Sequence, residues 1–165
     1  MIDSILPRDV AVARFRTGVP EVTALAGGAP TREALVRQFV EALERRDTAG
    51  LRELLLTRAE FAWLYYPTNP QGLPPYDLSP GLLWEMSSLN SAKGLRRALQ
   101  EFGGTSLGYQ GHVCDPQTSR QGANTVTGPC TVRLLHGTSD REVRLFGLIV
   151  ERGGRHKFVS YANKL

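Results

Sequence analysis

The chain is 165 residues long, 41% hydrophobic, with a formal charge of +4, which gives apolar material for one sizeable core and too little length for two independent ones. That content excludes a disordered chain, and no run approaches the roughly 18 uninterrupted apolar residues of a membrane helix. Residues 1–102 carry 12 basic and 12 acidic side chains and residues 103–165 carry 8 and 4, yet Arg133, Arg141, Arg144, Arg152 and Arg155 are interleaved with apolar and acidic residues, so no nucleic-acid footprint is expected.

Residues 1–29 read as an N-terminal extension and 30–165 as a single domain. Met1-Ile-Asp-Ser lacks the charged start and apolar stretch of a signal peptide. Residues 6–16 suit a short helix with Pro7 in its first turn, and 26–30, with Gly27, Gly28 and Pro30, suit a linker. Thr31 is placed to cap a helix reaching about Arg46, because Leu35, Val36, Phe39, Val40 and Leu43 form one stripe. Asp47 is placed to cap a second, carrying Leu51, Leu54 and Leu55. Neither helix is stable alone, so both must bury their stripes on a sheet.

Glu60-Phe-Ala-Trp-Leu-Tyr-Tyr66 is the densest aromatic cluster, followed by five prolines between Pro67 and Pro80. Trp and Tyr join large apolar area to a polar tip, which suits a pocket wall, and the proline-rich stretch suits a stiff rim. The plainer reading makes Phe61, Trp63 and Leu64 core. Leu82, Leu83, Met86 and Leu89 mark a third helix, and Leu95, Ala98, Leu99 and Phe102 a fourth or its continuation, stopped by Gly103-Gly104.

Strands are expected at 105–114, 124–136, 141–151 and 156–163, as one antiparallel meander turning at Gln121-Gly122, between Gly137 and Asp140, and at Gly153-Gly154. One face of it collects His112, Cys114, Cys130, Val132, Leu134, Val143, Leu145, Ile149, Phe158, Ser160 and Ala162, the side for the helices. The other collects Tyr109, Val113, Arg133, Leu135, Arg144, Phe146, Leu148, Val150 and Tyr161, too apolar for open solvent, and predicts a homodimer through the sheet.

Cys114 and Cys130 lie eight residues either side of Gly122, so a hairpin folded there places them opposite each other, about 4.5 Å apart at Cα, within disulfide reach. Disulfides persist mainly outside the cytosol, so the chain is expected to be extracytoplasmic, periplasmic, secreted or lipid-anchored, with its export signal removed; the plainer alternative is a cytosolic protein with two free thiols. In that register His112 faces Val132 and His136 lies about 13 Å away, beyond a shared metal. No metal or cofactor is expected.

The run from Thr31 through Asp47 to Leu51-Arg-Glu-Leu-Leu55, with later helices and a meander, resembles the nuclear-transport-factor-2-like superfamily, which includes the SnoaL-like and ketosteroid-isomerase-like cones. The resemblance implies an α+β cone, helices on one face of a curved antiparallel sheet, a pocket between them, and dimerisation through the sheet. It does not imply an activity. Enzymes of that superfamily use strand carboxylates, histidines or tyrosines, and here Asp115, Asp140, Glu142 and Glu151 fall mostly at turns, so no catalytic residue transfers.

The expected pocket comprises Trp63, Tyr65, Trp84, Met86 and His112, with His112 and Glu60 as the weak acid-base candidates. The expected function is non-catalytic binding of a small apolar ligand or a protein partner. The alternative is a ketosteroid-isomerase-like enzyme acting on an apolar small molecule, with His112 and Tyr65 or Tyr66 as its polar groups.

Overall fold

The computed structural model describes residues 6–162; Met1 and Asn163, at the two ends of the readings above, lie outside the described residues. Helix α1 (Arg8–Arg16) follows Pro7. Helix α2 (Arg32–Glu44) begins where the Thr31 hydroxyl accepts from the Ala34 N–H at 3.0 Å, and α3 (Thr48–Glu53) where the Asp47 carboxylate accepts from the Gly50 N–H at 3.0 Å. The expected stripe of α2 is buried.

One turn of helix, α4 (Arg58–Glu60), is opened by a reciprocal cap in which the Thr57 hydroxyl accepts from the Glu60 N–H and Glu60 Oε1 accepts from the Thr57 N–H. It widens into a π-helical turn, Phe61–Tyr65, then two 3₁₀ turns, Tyr66–Thr68 and Pro70–Gly72. The two helices expected after Pro80 are one, α5 (Pro80–Phe102), capped by Ser79. Its expected apolar stripe is corrected in the first half, where Leu82, Met86 and Leu89 are exposed. Small residues hold the buried line instead: Gly94 lies so close to the C-terminal segment that a Cβ there would come within 2.3 Å of the Ala162 carbonyl oxygen.

The single meander is also corrected. Strands β1 (Tyr109–Cys114), β4 (Cys130–His136) and β5 (Ser139–Val143) form one antiparallel sheet in the order β1-β4-β5; β2 (Ser119–Gln121), β3 (Asn124–Thr127), β6 (Ile149–Arg152) and β7 (Arg155–Phe158) form a second in the order β2-β3-β6-β7. Pro129 has no N–H to give a ladder, so the run 124–136 divides into β3 and β4. Between β5 and β6 the chain leaves the named strands, and the adjacent residues Leu145 and Phe146 are both fully buried there.

Cys114 and Cys130 are disulfide-bonded directly across β1 and β4, 3.9 Å apart at Cα, and His112 stands opposite Val132 as expected. The loop expected between the cysteines contains a hairpin of its own, β2 and β3, which belongs to the other sheet.

Two hydrophobic clusters result. The first joins α2, α3 and the end of α5 to both sheets; the Phe39 ring at its centre meets Phe146, Phe158 and Tyr161. The second is more aromatic, with Phe15, Phe61, Tyr65, Tyr66 and Leu83 over Val126 and Val150. The face predicted for a dimer is therefore largely covered within the chain: Phe146, Val150 and Tyr161 are buried, leaving Val113, Leu135 and Leu148 as its exposed large apolar residues.

Residues 26–30 are tied to the fold at Ala29, which is fully buried, while Ala26, Gly27 and Pro30 are exposed. Ala29 exchanges both backbone hydrogen bonds with His156 of β7. Gly28, at φ +68°, brings the position of a Cβ within 2.3 Å of the His156 carbonyl oxygen, so a side chain there meets backbone as well as an unfavourable conformation.

Candidate functional site

The first cluster supplies Leu55, Leu95 and Leu99, and the second supplies Leu56, Trp84 and Val159; where they meet, a groove of about 490 Å³ opens between α3 and α5. Its volume lies in the range of small-molecule sites. Its floor is held in place: Ser87 Oγ donates to the Val159 carbonyl at 3.2 Å, and Ser91 Oγ accepts from the Tyr161 N–H at 3.2 Å. Thr48, Ser88, Ala92, Arg52 and Arg96 complete the lining.

Of the five residues expected in one pocket, only Trp84 lines this groove. Met86 projects to solvent from the opposite side of α5. Trp63 is half-buried under Arg16, whose guanidinium carbon sits 4.0 Å from the ring centre. Tyr65 is packed into the second cluster, and burial pushes its hydroxyl up to about 12, keeping it a neutral phenol. Tyr66, its alternative partner, is buried and donates to the Leu78 carbonyl at 2.7 Å. The groove was missed because its walls lie on separated segments, with no shared period or motif.

Glu60 is buried as a structural ion pair. Its Oε1 lies 2.7 Å from Lys157 Nζ, its Oε2 accepts from the Ala26 N–H at 2.6 Å, and Lys157 also donates to the Ala26 carbonyl at 2.9 Å. Every strong partner of that carboxylate is already in place, which leaves it no proton-transfer role.

His112 belongs to a different cleft, of about 580 Å³, walled by Arg32, Glu33, Thr125, Thr127, Glu151 and His156 as well as Ile149. Its Nδ1 lies 3.1 Å from Glu33 Oε2 and 3.0 Å from the Tyr109 hydroxyl, which itself donates to Glu33, and its Nε2 accepts from Arg32 Nε at 3.2 Å. Burial lowers the His112 pKa, aided by Arg32 and opposed by Glu33. The ring is thus held neutral, with its Nδ1 proton toward Glu33. His156, in the same cleft, is also lowered by burial.

Among the described residues no group of three or more His, Cys, Asp or Glu is placed to hold a metal ion, and no helix is long and apolar enough to cross a membrane. Compared with known proteins, the chain matches no family model, no curated protein and no solved structure.

Proposed function

We propose that this is an exported, non-catalytic binding protein that takes a small, mainly apolar ligand in the groove between α3 and α5. The observation that carries the reading is the groove itself: leucines, a tryptophan and a valine from two clusters face an open space that neither cluster fills. Its lining contains no aspartate, glutamate, histidine or tyrosine, so proton transfer there lacks an ordinary base. The disulfide supports export. The capped pair α2 and α3 at the start of an α+β domain supports the resemblance to the nuclear-transport-factor-2-like cones and a curved-sheet reading of this fold.

Ala92, exposed on the groove wall, offers the test. Dodecanol below its aggregation threshold is expected to bind the wild-type chain by calorimetry, and Ala92→Trp is expected to weaken it at least about tenfold by filling the space. Equal binding by both proteins places any ligand elsewhere and ends the reading.

An enzymatic reading has one observation in its favour, the neutral, positioned His112 in a cleft of its own. Its substrate would be polar, matching that lining, and not the apolar molecule expected alongside Tyr65 or Tyr66. In this reading His112→Gln removes turnover and its acid limb in the pH profile together; activity that survives with the limb unchanged rejects it.

A further inference from the structure

The groove carries charge that its apolar walls do not use. Arg52 on α3 and Arg96 on α5 both line it and both are exposed. Among the described residues neither guanidinium is hydrogen-bonded or paired with a carboxylate. By contrast, Arg37 lies 2.9 Å from Glu33, Arg133 2.6 Å from Asp140 and Arg141 2.7 Å from Glu101. No acid lines the groove, so an entering anion meets a cation on each wall and no like charge. Guanidinium groups recognise carboxylates by paired, charge-assisted hydrogen bonds, strongest beside apolar surface that excludes water.

The apolar lining is set out along the same axis. Trp84 and Arg96 are separated by about 18 Å of α5 at 1.5 Å per residue, with Leu95 and Val159 contributing surface to the groove they share. We propose that the ligand is an anionic amphiphile of the fatty-acid kind, its carboxylate between Arg52 and Arg96 and its chain running along the groove toward Trp84. This rests on the groove being a binding site and adds the chemical class of what it binds.

The test compares three probes of equal chain length on the intact protein below their aggregation thresholds: dodecanoate, dodecanol and dodecyltrimethylammonium. Calorimetry is expected to rank dodecanoate at least about tenfold tighter than dodecanol, with the cation weakest, as charge-assisted bonds to an arginine imply. Arg52→Glu and Arg96→Glu are each expected to bring the ratio of dodecanoate to dodecanol affinity down to about one or below. Equal affinity for dodecanoate and dodecanol, or a preference for dodecanoate that survives both substitutions, overturns this inference and leaves the apolar site standing. Failure of all three probes to bind ends both.

Discussion

The two hydrophobic clusters are built by different means. The first rests on periodicity, because the stripe of α2 and the inward faces of both sheets bury their apolar residues on one another, with the Tyr161 hydroxyl donating to the Leu51 carbonyl among them. The second gathers short, irregular segments, and polar bonds fasten it: Glu60 to Lys157 and Ala26, Tyr66 to the Leu78 carbonyl, and Asn124 Nδ2 to the Leu64 carbonyl at 2.9 Å. Regular amphipathic elements specify their own packing through periodicity. Irregular ones depend on particular donors and acceptors, and the groove opens where the two kinds of packing meet.

The most severe way to break this contrast is Lys157→Met, which strands the buried Glu60 carboxylate. A loss of about 3–5 kcal/mol is expected in urea unfolding. Trp63 and Trp84 both belong to or adjoin the second cluster, so their fluorescence should change at lower urea than the far-ultraviolet circular dichroism. Coincident transitions in this variant would show that the clusters unfold as one unit.

Reducing the Cys114–Cys130 bond acts on the first sheet instead. With 16 residues of separation, its loss should cost on the order of 3 kcal/mol, lowering Tm by roughly 6–12 °C in a domain of this size. Calorimetry with and without reductant measures this, and an unchanged Tm refutes it. The denatured, unreduced protein should resist alkylation and weigh two hydrogens less than the reduced chain.

The smallest effect belongs to the His112 and His156 cleft, where both folded pKa values lie below the ordinary 6.5. The unfolded chain therefore takes up protons first as pH falls, so stability from these rings is complete above about pH 7 and declines through 6.5 toward their lower folded values. Glu33 and Arg32 act on His112, and Glu151, Arg155 and Arg32 on His156. His156→Gln should flatten the Tm profile between pH 7 and 5.5 relative to wild type; an identical slope removes the assignment.

Residues whose role follows from local rules were legible in the sequence. Thr31 and Asp47 cap helices because their side-chain oxygens reach N–H groups three residues on. Cys114 and Cys130 meet because Gly122 sits midway in a turning segment. The dimer-face reading was less secure, since burial of Phe146, Val150 and Tyr161 depends on where a strand leaves its sheet. Glu60, a weak acid-base candidate in the sequence, has a partner 97 residues away in Lys157, and no local pattern announces it. The site was the least legible part: Arg52 and Arg96 look like ordinary solvated helix charges until α3 and α5 are set side by side.

The disulfide closes the base of a segment whose outer residues, from Asp115 to Arg120, are all exposed. Trypsin cutting after Arg120 would add one water to the mass without dividing the molecule, and both fragments would still travel as a single species until a reductant released them. The bond thus keeps the two fragments covalently joined after a cut at the β2–β3 tip, and the residues that line the groove, between Thr48 and Leu99 and at Val159, all lie outside the segment it closes.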